Sequence, residues 1–111
     1  MPIERGDIYW VCFDSSLGGE IQKTRPAIVL SNNAANQVMN RLQVVPITSK
    51  TDRVYPGEAL IELKGEMRKA IGSLLTTASK QRLGTKLGVL GSADIARVEA
   101  AIAVQLGLNL K

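Results

Sequence analysis

Short apolar and β-branched runs, separated by breaks rich in glycine, asparagine and lysine, occupy most of the chain. Runs of this length between turn residues are typical of β-strands. The pattern predicts strands over residues 7–13, 26–31, 42–48, 58–63, 70–78 and 86–90, with a turn over 64–69. The strand 26–31 is expected to be buried on both faces. Pro46 lacks an N–H, so we expect it at an edge, a bulge or a solvent-facing position.

Two segments show helical signals. Asn32 and Asn33 offer side-chain oxygens that can cap a short helix ending near Met39. Ser92 is predicted to cap a second helix that ends at Leu106, before Gly107. Asp94 lies in its first turn, where the helix dipole favours a negative charge. The buried stripe of this helix is predicted at Ile95, Val98, Ile102 and Leu106.

Many short strands and a closing helix predict a mainly β, α+β fold with a strongly bent sheet or barrel. The length of 111 residues fits a single domain over 1–111. Hydrophobic residues make up 45% of the chain, which is typical of a globular protein. There is no secretory signal and no apolar stretch near the roughly 20 residues of a membrane helix. We therefore expect a cytoplasmic protein without a membrane contact.

The chain has no histidine and one cysteine, Cys12. Histidine is the commonest general base and the commonest zinc ligand, so we expect no metal and no cofactor. Cys12 lies within a predicted strand and is interpreted as a packed residue. Glycine spacings typical of phosphate loops or dinucleotide folds are absent from the sequence. Catalysis would have to use carboxylates, cationic side chains, hydroxyls or backbone groups.

Three segments combine groups that bind phosphate. In residues 19–26 a loop with Glu20 and Lys23 leads into Arg25 and Pro26, and the planar fork of arginine suits a phosphate. A structural ion pair of Arg25 is equally compatible with this pattern. The second segment, 46–50, ends in Thr48, Ser49 and Lys50, and its alternative is a strand end capped by hydroxyls. The third, 76–83, alternates hydroxyls with bases, and its alternative is an edge strand blunted by charge.

Charge and aromatic residues add weaker indications. The net charge is +4, and residues 67–93 hold five basic side chains and no acidic one. Such a run indicates either a solvated surface or a face that attracts phosphates. Tyr9 and Trp10 are adjacent in a predicted strand, so they should point to opposite faces. One is expected in the core, and the other is available to stack on a nucleic-acid base.

In chain order, these segments resemble the MazF/PemK family of toxin endoribonucleases. The matching segments are 5–11, 19–21, 24–31, Asn36, 44–49, 76–83, 87–90, 101–102 and 106–108. No single motif is diagnostic, but the ordered set spans almost the whole chain. The resemblance implies an SH3-like or CcdB-like barrel of about five to seven strands, with a short internal helix and a C-terminal helix. It also implies a two-fold homodimer.

Members of this family cut single-stranded RNA without a metal, in a groove that a cognate antitoxin blocks. The resemblance implies that Arg25 stabilises transition-state charge and is a candidate proton donor. It also implies that Thr48 forms a hydrogen bond with the scissile phosphate. Glu20 is a candidate base, or it orients Arg25. Further RNA contacts are expected from Lys23, Thr24, Ser49, Lys50, Arg53, Thr76, Thr77, Lys80 and Arg82.

The sequence departs from the family where an Asp-Gln pair is usual, since Ser73 and Leu74 stand at those positions. In PemK-type members that aspartate is proposed to act in proton transfer. Catalysis here would then rest on Glu20, Arg25 and Thr48. This departure motivates one alternative, a catalytically weakened RNA-binding relative. A second alternative, a CcdB-like toxin that inhibits DNA gyrase, rests on the shared fold.

Overall fold

An antiparallel sheet forms most of the computed structural model, which describes residues 2–13 and 24–109. Its strands in chain order are β1 (Asp7–Cys12), β2 (Thr24–Val29), β3 (Arg41–Thr48), β4 (Glu58–Leu63), β5 (Glu66–Ile71), β6 (Thr76–Ser79) and β7 (Leu83–Val89). Helix α1 (Asn33–Val38) links β2 to β3, and helix α2 (Ser92–Leu106) follows β7. Two 3₁₀ turns, Gly72–Leu74 and Lys80–Arg82, flank β6. The predicted class, mainly β with a short internal helix and a C-terminal helix, is confirmed.

Strand β3 is central because it exchanges partners along its length. The sheet order is β4-β5-β3-β2-β1-β7, and β6 also pairs with β3. The first half of β3 pairs with β6 up to Val44, and its end pairs with β5 from Ile47 onward. Pro46 lies in the break between these two ladders. Pro46 is buried and pairs with Ala27 of β2, so the expected edge or solvent-facing position is wrong. The break in pairing accommodates its missing N–H.

The two faces of the sheet bury separate apolar clusters, because alternate residues point to opposite sides. One cluster includes Ile8, Ile28 and Ile47, and Val98 of α2 packs into it. The other includes Tyr9, Val11, Val29 and Val44. Cys12, at the end of β1, is exposed, so its interpretation as a packed residue is wrong.

The predicted turn over 64–69 and strand over 70–78 are wrong in their bounds. The turn consists of Lys64 and Gly65, both with positive φ (53° and 79°), and β5 begins at Glu66. The extended chain then breaks at Gly72, whose N–H donates to the Gly57 carbonyl over 2.9 Å. A Cβ at Gly72 would lie 2.4 Å from that oxygen, so the close contact needs glycine.

Both helices form where their signals predict them. The Asn32 side chain accepts a hydrogen bond from the Ala35 N–H at the start of α1. Helix α2 has the predicted bounds, and Gly107 ends it in the left-handed region. Its N-cap, however, is Gly91 rather than Ser92. Neither helix in the described ranges is long and apolar enough to cross a membrane.

The predicted stripe of α2 holds only in part. Val98 is fully buried and Ile95 and Ile102 are partly buried, whereas Leu106 is exposed. Small residues, Ala101 and Ala103, complete the buried face. Asp94 accepts the Glu62 N–H over 2.9 Å, so this carboxylate also ties the helix to β4.

Candidate active-site cleft

A cleft of about 510 Å³ opens where β2 begins and β3 ends. The β2–β3 register pairs Ala27 with Pro46. Continued by two residues, this register places Arg25 opposite Thr48, and both residues line the cleft. Its other lining residues are Trp10, Thr24, Pro26, Ile47, Ser49, Lys50 and Arg68. The fold therefore brings together Thr24, Arg25, Thr48, Ser49 and Lys50, five of the residues predicted from two separate segments.

The described lining of the cleft carries three cations, Arg25, Lys50 and Arg68, and no carboxylate. Arg68 shares part of its charge with Glu66 at 2.6 Å. Within residues 2–13 and 24–109, the Arg25 guanidinium has no ion-pair partner. Among those residues the alternative of a structural ion pair finds no support. The described charges therefore favour an anion in the cleft.

One hydrogen bond within the protein orients the Thr48 hydroxyl. Its Oγ1 accepts the Lys50 N–H over 3.2 Å, within the first turn of the following loop. A hydroxyl that accepts one bond still has a proton to donate. Thr48 can therefore donate to an anion that lies against Arg25.

Trp10 forms an aromatic wall of this cleft. It is 39% exposed, while its neighbour Tyr9 is 9% exposed and belongs to the core. The predicted division of the two aromatic residues between opposite faces is confirmed. An exposed indole beside cations is an arrangement suited to single-stranded nucleic acid, because every base can stack on it.

The other predicted site residues that the structure describes are not among those that line the cleft. Glu20 and Lys23 lie outside the described residues. Thr76 and Thr77 pair with the first half of β3, away from Thr48. Thr77 Oγ1 accepts from the Gln43 amide over 3.1 Å. These two residues keep their predicted role only as a proposal.

Three other basic residues predicted to contact RNA form hydrogen bonds within the protein. They are Arg53, Lys80 and Arg82. The Lys80 ammonium donates to the Asn36 carbonyl, at the C-terminal half of α1. Arg82 donates to the Cys12 carbonyl over 3.3 Å. The Arg53 side chain donates to the Tyr55 hydroxyl over 3.4 Å, and its carbonyl accepts from Lys69. Each contact gives these residues a structural role, whether or not they also contact RNA.

Arg68 is a cleft residue that the prediction of the site missed. The sequence placed it in a turn, but the hairpin turns earlier, at Lys64 and Gly65. Strand β5 therefore extends past Arg68 and runs beside the end of β3. The available signal was Gly65, because glycine adopts a positive φ readily. In the described ranges no group of three or more His, Cys, Asp or Glu side chains lies close enough to hold a metal ion.

The structure is that of a small, curled β-sheet protein with a cationic cleft. Residues 4–106 match the family described as PemK-like, MazF-like toxin of type II toxin–antitoxin systems. Endoribonuclease MazF9 of Mycobacterium tuberculosis is 32% identical, over 96% of this chain and 98% of that protein. Endoribonuclease toxin MazF of Escherichia coli is 31% identical, over 94% of each chain.

A solved structure supports the same assignment. An endoribonuclease from a mycobacterial species, in complex with its cognate antitoxin, superposes with a TM-score of 0.80. It is 25% identical, over 98% of this chain and 99% of its own. The chain belongs to the PemK-like, MazF-like toxin family. The comparisons thus support the toxin-endoribonuclease family and not the CcdB alternative.

Proposed function

We propose that the chain is a cytoplasmic toxin endoribonuclease that cleaves single-stranded RNA without a metal and is neutralised by a cognate antitoxin. The observation that carries this proposal is the convergence of Arg25 and Thr48 in a cationic cleft, with Trp10 as its aromatic wall. Named relatives over nearly the full length of the chain are endoribonucleases. We further propose that it acts as a homodimer, with RNA lying across a groove between the subunits.

The proposed chemistry uses the substrate's own 2′-hydroxyl as nucleophile. Its oxygen bonds to the adjacent phosphorus while the bond from phosphorus to the 5′-oxygen breaks. The 2′-hydroxyl proton passes to a base, for which Glu20 is the candidate, and the departing 5′-oxygen takes a proton, for which Arg25 is the candidate donor. The products are a 2′,3′-cyclic phosphate and a 5′-hydroxyl.

Arg25 and Thr48 act on the charge that develops during this step. The two non-bridging oxygens gain negative charge as phosphorus becomes five-coordinate, and the Arg25 guanidinium can stabilise them electrostatically. The Thr48 hydroxyl donates a hydrogen bond to one of these oxygens, since its Oγ1 already accepts the Lys50 N–H. Both interactions strengthen as the charge grows, which is the condition for raising the reaction rate.

Substitution of Arg25 tests the proposal. Arg25→Ala should lower the rate of cleavage of a long, mixed-sequence single-stranded transcript by about a hundredfold or more. Arg41→Ala removes the same charge at the opposite end of β3, where the residue is exposed, and should retain activity. The readout is the 2′,3′-cyclic phosphate end, measured with a chelator present, with circular dichroism and size-exclusion chromatography as folding and assembly controls. Full activity of Arg25→Ala, or a requirement for a metal, would disprove this mechanism.

A further inference from the structure

The Lys69 side chain is buried although it lies on the face of the sheet opposite the core cluster of its neighbour Ala70. Ile47 and Ala70 form a register pair, and both belong to the core. The next pair, Thr48 and Lys69, therefore points to the other face of the sheet, which we term the outer face. Lys69 is nevertheless only 8% exposed. Another part of the chain must cover it.

The cover is the loop between β3 and β4, residues 49–57. The Lys69 ammonium donates to the Arg53 carbonyl of this loop over 2.7 Å and lies 3.0 Å from a Glu58 carboxylate oxygen. The same oxygen of Glu58 accepts the Tyr55 N–H over 2.9 Å, and the Glu58 N–H donates to the Tyr55 carbonyl. One buried ion pair thus fixes the loop at two separate points.

This buried pair has little value as a source of stability. Removing two charges from water costs about as much as their attraction returns, so such pairs often contribute little net free energy. What they do specify is geometry, because each charge must keep its partner. The contacts of Lys69 and Glu58 hold the loop in one conformation across the outer face of the sheet.

The conformation of this loop determines one wall of the cleft. Ser49 and Lys50 are its first residues, and both line the cleft. Lys50 is three residues from Arg53, a stretch of chain that spans at most about 10 Å. Anchoring the Arg53 carbonyl therefore limits where the Lys50 ammonium can lie. Without the anchor, binding an anion would also require ordering this stretch.

We propose that Lys69 and Glu58 are positioning residues, which hold loop 49–57 so that Ser49 and Lys50 face the bound RNA. This inference rests on the proposed function, since it takes RNA as the ligand of the cleft. Neither residue touches the substrate. They affect the affinity for RNA and the choice of cleavage sequence, because both depend on the shape of the loop. They do not affect the rate at which bound RNA is cleaved.

The main test is Lys69→Met, which keeps an unbranched side chain one atom shorter and removes its charge. The dissociation constant for single-stranded 2′-O-methyl RNA, which cannot be cleaved, should rise on the order of tenfold because the loop must be ordered on binding. Trp10, the only tryptophan in the sequence, reports this binding by fluorescence from the cleft itself. The cleavage rate at saturating RNA should stay within about twofold of the original. Lys64→Met, in the exposed turn of the same hairpin, is the matched control and should leave both values unchanged.

Two further variants separate positioning from stability. Lys69→Arg keeps a donor and should recover most of the affinity. Lys69→Met combined with Glu58→Gln removes both charges and keeps the acceptor for Tyr55, so its thermal stability should recover. Its affinity should stay low, because the Arg53 carbonyl still lacks its donor. A normal affinity in a folded Lys69→Met, or an affinity restored together with stability in the double variant, would overturn the proposal.

Hydrogen exchange tests the anchor without relying on RNA. The amides of residues 50–55 and 57 should exchange faster in Lys69→Met than in the unmodified protein, while those of β3 should not change. If the unmodified protein neither binds nor cuts RNA, the proposed function is wrong. The exchange rates of the loop amides then test by themselves whether Lys69 holds the loop. Unchanged exchange in the loop would overturn the role assigned to Lys69.

Discussion

Tyr9 and Trp10 are adjacent in β1 and meet opposite environments. Trp10 faces the cleft, whereas Tyr9 packs in the core with its hydroxyl 3.4 Å from an Asp7 carboxylate oxygen. Asp7 is 2% exposed, and it also accepts the Glu4 N–H and lies 3.2 Å from the Lys86 ammonium. The same strand therefore supplies a wall of the cleft and a buried polar cluster beneath it. This arrangement sets Trp10 on a well-packed part of the molecule.

The Tyr9 phenol should titrate late. Burial, and then the negative charge of Asp7, raise the pKa of Tyr9 above 10, and the Lys86 charge offsets this in part. Tyr55→Phe leaves Tyr9 as the only tyrosine, so its ionisation can be followed by ultraviolet absorbance. We expect a midpoint above pH 10.

The same shift predicts how stability depends on pH. Since the pKa is higher in the folded state, the folded protein holds this proton more tightly than the unfolded chain. The corresponding stability is present below pH 10 and is lost as the pH rises through the folded-state pKa. Urea unfolding should therefore show a fall in stability above pH 10 that is smaller in Tyr9→Phe. An equal fall in both proteins would assign the alkaline loss to other groups.

At the scale of the elements, local signals predicted most of the structure. The strand over 58–63 and both helices follow from alternation and from helix caps. The failure at the 3₁₀ turn after β5 has a tertiary cause: Gly72 approaches the Gly57 carbonyl, which lies fifteen residues earlier in the chain. No local pattern records such a contact.

The β4–β5 hairpin offers a direct test of its turn. Gly65 has φ of 79°, so Gly65→Ala should lower the free energy of unfolding by about 1 kcal/mol. Lys64 also has a positive φ, 53°, although it is not glycine. Lys64→Gly relieves that strain while it adds freedom to the unfolded chain, so its net effect should be within about 0.5 kcal/mol of zero. Urea denaturation of both variants measures these values, and an equal loss in the two would contradict the assigned turn.

The candidate site was predictable only where its residues lie next to recognisable strand ends. Arg25 and Thr48 flank apolar strands, so both the residue pattern and the family resemblance pointed to them. Arg68 was missed because its placement depends on where the hairpin turns. The anchor formed by Lys69 and Glu58 was also not predicted, because a pair eleven residues apart on two strands becomes visible only once their register is known.

At the scale of the whole molecule, the basic run over 67–93 does not form one charged face. Arg68 lines the cleft, Lys69 is buried under the loop, and Lys86 pairs with Asp7. Lys80 donates to a carbonyl beside α1. The field in the cleft therefore comes from three cations drawn from three different segments, Arg25, Lys50 and Arg68. A count of the basic residues along the sequence would therefore overestimate how many of them contact the ligand.

This small number of cations predicts the salt dependence of RNA binding. Each phosphate neutralised on a single strand contributes about −0.7 to the slope of log affinity against log salt concentration, so three contacts in one cleft predict a slope of about −2. Lys50→Gln should reduce the steepness by about 0.7, because it removes one contact. Lys64→Gln removes the same charge from the exposed hairpin turn and should leave the slope unchanged. Trp10 fluorescence with 2′-O-methyl RNA, over a range of salt concentrations, gives all three slopes. If the two variants lowered the slope equally, the net charge of the protein and not the cleft would control binding.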